Sequence, residues 1–347
     1  LIRCPNVPAA VISNFAIIKM GATSVPISPL LSPKEIAYVS NHAEAVAMVV
    51  SSALLPDMER VRDQLSTLQH IILVGDPKEA KEKGFLSYSE LVGAGDETFS
   101  PARHARDAVS VLLYTSGTTG PPKGTAHLME ETLAIADTFG RYGWRVQEED
   151  VIGGPAPMAF AAGYGAVAVI PYRFGAAASL IARFTPEGMF EAIQKHRITI
   201  LTVLPTSYRR MLQVQDAEKT YDLSSLRLCT GGGESLTAKT FHEWKARFGM
   251  EIYEGLGTTE MFYVFLSNTV TMRAKPGSVG VAVPGYEVKV VDEEGNPTKP
   301  GEIGRLLARG STGTLYWRDP ERQREVVVNG WNSIGDYVYA DEEGYIW

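Results

Sequence analysis

Tyr114-Thr115-Ser116-Gly117-Thr118-Thr119-Gly120-Pro121-Pro122-Lys123-Gly124 is the stretch on which the reading of this chain turns. Four hydroxyl side chains (Thr115, Ser116, Thr118, Thr119), three glycines and one lysine follow directly on the apolar run 109–113. Hydroxyls and bare backbone N–H groups donate hydrogen bonds, and glycine lets the backbone approach a bulky anion. A terminal lysine adds a point charge suited to phosphate. A Gly/Thr-rich surface loop is the plain alternative. The phosphate loop of ordinary NTPases, G-x-x-x-x-G-K-[ST], does not fit: Pro122 precedes Lys123 and Gly124 follows it, so neither that motif's glycine nor its Mg²⁺-binding hydroxyl is in place.

With 347 residues, the chain can build a large core and more than one domain. Apolar residues at 45% and charged residues at 21% are ordinary for a soluble globular protein. A net charge of −7 argues against nucleic acid or an anionic membrane as partner, since no basic surplus exists to neutralise phosphates. Two cysteines, Cys4 and Cys229, fit a reducing, cytoplasmic compartment without a disulfide framework. No apolar stretch is long enough to span a bilayer. The chain opens on Leu1 and stops at Trp347, partway through an expected strand, so a fragment of a longer protein is expected.

Outward from the strap, helix and strand alternate. Helices are expected over 7–20, from Ser32-Pro33-Lys34-Glu35 onward, and over 128–139, 185–196, 207–215 and 236–248. Strands are expected over 24–27, 45–50, 71–74, 151–152, 177–181, 198–204, 226–230 and 251–253. Ser32 as cap, Pro33 at the first helical position and Glu35 three residues on make a helix start. Residues 78–106 read as a polar surface excursion. Continuous apolar strands separated by helices make parallel α/β sheets. From about Ser278 short alternating runs, 286–291, 304–308 and 344–347, indicate a mostly β segment. The expected divisions are 1–105, 106–277 and 278–347.

Four further constellations carry chemistry. Glu254-Gly255-Leu256-Gly257-Thr258-Thr259-Glu260 offers glycines for a tight passage beside a ligand, then a hydroxyl and a hard carboxylate of the kind Mg²⁺ prefers. A helix N-terminus with a capping threonine and a first-turn glutamate explains the same residues equally well. Gly231-Gly232-Gly233-Glu234 is by itself a strand-to-helix turn. Asp336, in Gly330-Trp331-Asn332-Ser333-Ile334-Gly335-Asp336, is a carboxylate able to accept from two ribose hydroxyls, or an exposed turn aspartate. Phe160, before the small Ala161 and Ala162, is either core or a flat apolar wall. The histidines are scattered without metal-ligand spacing, no Gly-x-Ser-x-Gly elbow is present, and Glu130-Glu131 and Glu148-Glu149-Asp150 read as solvated faces.

The strap resembles T-S-G-[ST]-T-G-x-P-K-G, the signature of the adenylate-forming superfamily of acyl- and aryl-CoA ligases, peptide-synthetase loading domains and luciferases. The other segments resemble that family's G-x-G-x-T-E and G-W-x-x-[ST]-G-D, in the family's order and along essentially the whole chain. The resemblance implies an α/β fold with two parallel-rich sheet subdomains and a smaller β-rich, distorted-barrel subdomain. It implies ATP contacts by Thr115, Ser116, Gly117, Thr118, Thr119 and Lys123. Adenine contacts fall to Gly232, Gly233 and Glu234, with Glu254, Gly255 and Leu256 also beside the nucleotide. Thr259 touches the α-phosphate, Glu260 holds Mg²⁺, Asp336 takes the ribose, and Phe160, Gly231 and Gly257 face the acid. Ile334 departs from the usual hydroxyl residue, and many members have histidine at Phe160.

The implied reaction joins a carboxylate to ATP, giving an acyl-adenylate and pyrophosphate, after which coenzyme A displaces AMP. The family's C-terminal hinge and lid domain, with its lysine, lies beyond Trp347, so slow or absent turnover by this chain alone is expected. Uncovered apolar surface predicts marginal stability or self-association, compatible with a homodimer. The segment 259–268 looks most like benzoate- and 2-aminobenzoate-CoA ligases. A medium-chain fatty acyl-CoA ligase and a non-catalytic nucleotide- or acyl-binding fragment are the alternatives.

Overall fold

The computed structural model describes residues 1–115 and 120–347. They form two compact units, Leu1–Met129 with Pro157–Phe160 and Glu130–Ala156 with Ala161–Trp347. These differ from the expected three divisions for a local reason. Ser24 donates its N–H to Ser110 O and accepts from Leu112 N, each at 2.9 Å, which ties the strap-bearing strands to the first unit. The β-rich tail belongs to the second unit, where Val283 N donates to Phe265 O at 2.9 Å.

In the first unit, β1 (Ile2–Arg3), β2 (Ala47–Ser51), β3 (His70–Val74) and β4 (Leu86–Ser87) make a parallel sheet in that order. Helices α1 (Pro8–Lys19) and α2 (Pro33–His42) follow the sequence pattern. The start of α2 is a full capping box: the Ser32 hydroxyl accepts from Glu35 N, and Glu35 accepts from Ser32 N at 2.8 Å. Residues 24–27 are bridged singly, Pro26 to Ile2 and Ser24 to Val111, rather than forming the expected strand. The presumed polar excursion contains order of its own. Asp76 and Ser87 cap α3 (Pro77–Glu82) and α4 (Tyr88–Gly93), and β4 between them extends the sheet. Strands β5 (Val109–Thr115) and β6 (Lys123–Leu128) close the unit as an antiparallel ribbon.

In the second unit, α5 (Met129–Ile135) widens into a π-helix over Ala136–Trp144. A seven-stranded sheet follows, built from β7 (Val151–Gly154), β8 (Ala177–Leu180), β9 (Ile200–Thr202), β10 (Leu228–Gly232), β11 (Ile252–Gly257), β12 (Val264–Ser267) and β13 (Val281–Ala282). Its order is β13-β12-β11-β10-β9-β7-β8, parallel except at β12 and β13. Helices α6 (Pro186–His196), α7 (Pro205–Met211) and α8 (Ala238–Phe248) pack Phe190, Tyr208 and Trp244 into its core. Tyr208 sets its ring edge against Trp244 at 4.7 Å between centroids and donates its hydroxyl to Thr230 O at 3.0 Å. That pins β10 one residue before Gly231.

Four antiparallel strands complete the unit: β14 (Tyr286–Val291), β15 (Gly304–Gly310), β16 (Val327–Val328) and β17 (Trp331–Val338), with α9 (Pro320–Val326) before β16. Asn329 and Gly330, at φ 52° and 75°, turn β16 into β17, as a two-residue type I′ hairpin requires. The expected strand at 344–347 is reduced to bridges from Ile346 to Gly280 and Ala340. Among the described residues, no helix is long and apolar enough to cross a membrane.

Two of the acidic residues expected on solvated faces are buried instead. Glu131 accepts from Gly313 N at 2.8 Å, and Asp150, only 2% exposed, is held by Arg227 and by the Thr199 hydroxyl at 2.6 Å. Burial opposes ionisation of Asp150, but bonds from Arg227, Thr199 and Gln147 N outweigh it and hold the pKa below the usual carboxylate range. A depressed folded pKa gives stability that is present above about pH 4, the unfolded value, and lost as pH falls below it. Asp150→Asn is therefore expected to lose about 2–4 kcal/mol in urea denaturation at pH 7. The gap to the parent should narrow below pH 4; a gap unchanged down to pH 3 would refute the ion-pair attribution.

Candidate active site

The first unit contributes the ends of the strap. Thr115 closes β5 and Lys123 opens β6, and the two are register partners across the ribbon. Ser116, Gly117, Thr118 and Thr119 lie outside the described residues. A cavity of about 220 Å³ opens beside the ribbon, lined among others by Thr115, Tyr114, Pro122, Ala159, Phe160 and Leu30. The segment carrying Phe160 is fixed from two sides: Met158 N donates to Asn6 Oδ1 at 3.0 Å and Phe160 N to Pro157 O at 3.0 Å. Phe160 is half-buried and lines this cavity. Tyr114, beside it, is bonded through its hydroxyl to His42 Nδ1 at 2.9 Å.

The second unit brings the glycine clusters to the carboxyl ends of neighbouring parallel strands, where ligands of open α/β sheets bind. Gly231 pairs with Glu254 and Gly232 with Gly255. Residues 253–257 are thus strand, not the loop after one. A Cβ on Gly232 would lie 2.7 Å from Gly255 O, on Gly255 2.9 Å from Leu266 O, and on Gly257 2.6 Å from Tyr263 O. Backbone packing alone accounts for these three glycines. Gly231 differs: the nearest atom to an added Cβ is 3.5 Å away, an ordinary contact, so packing does not demand its bareness.

The side chains around the glycines are already occupied. Glu234 accepts from Thr206 N in the first turn of α7. Glu254 is 3% exposed, and its Oε1 accepts from Leu236 N at 2.7 Å. Burial disfavours its charge and pushes its pKa up to about 7. Both carboxylates therefore have structural work beside the nucleotide contacts expected of them.

Thr259 and Glu260 do not start a helix. They lie in the connection between β11 and antiparallel β12, whose turn is closed by Met261 N on the Thr258 hydroxyl at 3.0 Å and Phe262 N on Thr259 O at 3.0 Å. Phe262 takes φ 65°, fully buried and stacked on Tyr164 at 5.7 Å. Glu260 is half-buried, and its Oε1 accepts from the Tyr316 hydroxyl at 3.2 Å. Nothing in the sequence pointed to Tyr316.

Asp336 sits where β17 bulges against β15. Leu307 faces Ser333 and Arg305 faces Tyr337, leaving Ile334, Gly335 and Asp336 opposite Leu306 alone. Bulges re-aim side chains; Gly335 takes φ 91° and Asp336 is exposed. Surrounding protein still desolvates the carboxylate enough to raise its pKa.

No group of three or more His, Cys, Asp and Glu among the described residues could cage a metal. One hard carboxylate, Glu260, fits Mg²⁺ that is shared with phosphates rather than enclosed by protein.

A profile for the family described as AMP-binding enzyme matches residues 1–317. The chain belongs to that family. The chain is 35% identical over 331 residues to the benzoate–CoA ligase of Thauera aromatica, covering 94% of the chain and 61% of the relative. It is 32% identical to the 4-hydroxybenzoate–CoA/benzoate–CoA ligase of Rhodopseudomonas palustris, over 94% of the chain and 60% of the relative. The crystal structure of the anthranilate CoA ligase AuaEII with anthranoyl-AMP superposes with a TM-score of 0.95 at 34% identity, covering 100% of this chain and 66% of that one. The chain therefore spans about three fifths of the curated relatives it matches.

The raised pKa of Glu254 makes a signed prediction. A folded pKa above the unfolded value means stability is fully present below about pH 4.5 and is lost as pH rises through about 7. In thermal melts, Glu254→Gln should gain on the parent steadily over that interval and then level off. Parallel curves for the two proteins would show that Glu254 ionises freely.

Proposed function

We propose that this chain carries the ATP- and acid-binding part of an AMP-forming ligase that activates a small aromatic carboxylic acid and passes it to coenzyme A. The observation that carries the reading is the cavity shared by Thr115, from the phosphate strap, and Phe160, from the apolar wall. At about 220 Å³ it falls below the roughly 300–1,000 Å³ of drug-sized pockets. The aryl-CoA ligases named above support the same substrate class.

Two anions must meet in such a site, so the residues have to neutralise and orient. Lys123 supplies a fixed positive charge at the end of the strap, and Thr115 supplies a hydroxyl donor for phosphate oxygens. Glu260 would hold Mg²⁺, which when bound spreads the charge of the phosphates. Asp336 offers both carboxylate oxygens to the ribose hydroxyls. The acid's carboxylate oxygen then attacks the α-phosphorus, the bond to the bridging oxygen breaks and pyrophosphate leaves. Attack of a thiol on the acyl carbon expels AMP. Phe160 would give the acid a flat face in the cavity it lines. We place the protein in the cytoplasm, consistent with its two buried, unpaired cysteines.

Titration calorimetry with benzoate, 2-aminobenzoate and octanoate, each with a non-hydrolysable ATP analogue, tests the proposal. The aromatic acids are expected to bind at least about tenfold more tightly than octanoate, a difference of about 1.4 kcal/mol. Lys123→Ala should weaken the nucleotide analogue by a similar factor without unfolding the chain. Tightest binding by octanoate would end the aromatic assignment, and no nucleotide binding at all would end the ligase reading.

A further inference from the structure

Residues 312–316 pass directly beside the connection that carries Glu260, and every residue but one is tied down. Thr312 donates its hydroxyl to Met261 O at 2.6 Å, and Gly313 N bonds Glu131 at 2.8 Å. Thr314 N bonds Asn332 Oδ1 at 2.8 Å, and Tyr316 N bonds Gln323 Oε1 at 2.9 Å. Gln323 returns its amide to Thr314 O at 2.8 Å, and Asn332, on β17, donates to Ala308 O at 3.0 Å. The outcome is a fixed phenol, 7% exposed, whose hydroxyl reaches Glu260 Oε1. Glu260 Oε2 makes no hydrogen bond or ion pair to any described residue.

Resting on the proposed function, we infer that Tyr316 is a positioning residue for the cation: its hydroxyl holds Oε1 of Glu260, so that Oε2 is presented in one orientation to the metal on the nucleotide. A carboxylate free to rotate about its last two torsions samples many orientations, and a single donor on one oxygen selects among them. Outer-shell donors to metal-binding groups act in this way. The network through Thr314 and Asn332 also reaches β17, the strand that carries Asp336.

The test reads metal binding directly. Mn²⁺ is titrated by electron paramagnetic resonance into the full chain with a non-hydrolysable ATP analogue, and the analogue's affinity in EDTA is measured in parallel. Tyr316→Phe is expected to weaken Mn²⁺ by about tenfold, the low end for outer-shell partners, with the metal-free affinity and melting temperature kept. In a Glu260→Gln background, Tyr316→Phe should add nothing. Parent-like Mn²⁺ affinity in Tyr316→Phe overturns the inference, as does an equal loss of metal-free affinity or full additivity with Glu260→Gln. Should Tyr316→Phe fail to fold, Gln323→Ala loosens the phenol's anchor instead: weaker Mn²⁺ supports the inference, unchanged Mn²⁺ overturns it. A parent chain that binds neither analogue nor Mn²⁺ overturns the proposed function and this inference together.

Discussion

The carboxyl ends of β10 and β11 and the antiparallel strand β12 are drawn so close together that side chains are excluded there. Gly232, Gly255 and Gly257 each face a neighbouring backbone oxygen at a distance no Cβ could share. The approach forces β11 to turn back at Thr258 as an antiparallel partner rather than run into a helix, so Thr259 and Glu260 are presented on a short, hydrogen-bonded connection. The aromatic residues that follow lock that connection from behind. Phe262 stacks on Tyr164, while Tyr263 meets the edges of Phe139 and Trp144. Gly165 is bare because the Tyr263 ring would lie 2.2 Å from its Cβ. Both π-helical stretches, Ala136–Trp144 and Gly165–Val169, supply residues to this packing.

The β-rich tail is therefore more than an appendage of the second unit. It delivers Tyr316 to Glu260 and Thr312 to Met261, and its bulged strand carries Asp336. A side chain that meets the Glu260 carboxylate from a neighbouring layer can be oriented by that layer's own backbone ladder. The rigidity of β15 and β17 is in this way available to a residue that belongs to neither.

What could be read from the sequence was local or anchored by type. The Ser32–Glu35 capping box lies within four residues and forms as read. The alternation of apolar strands with helices gave the parallel sheets, and the strap gave the family. Long-range partners were invisible. Thr259-Glu260 read equally well as a ligand-binding pair and as a helix start, because the return of β12 along β11, which rules out the helix, is not visible locally. Asp150 sat in an acidic run and looked solvated until Arg227, 77 residues away, closed on it. Tyr316 had no compositional mark, since its importance rests on a contact across 56 residues. The glycines were legible as glycines but not in their reasons: of Gly231, Gly232, Gly255 and Gly257, the last three serve backbone packing and Gly231 has no such need.

The two cysteines bear on how the chain meets thiol-reactive chemistry. Cys4, in the first unit, and Cys229, in the second, are both sealed from water, and burial pushes each thiol up to about 12. Neither offers a thiolate at neutral pH, so neither can undergo thiol–disulfide exchange while its unit stays closed. Each unit thus contains a chemical timer of its own. The rate at which an alkylating reagent captures Cys4 or Cys229 reports how often that half of the chain breathes open.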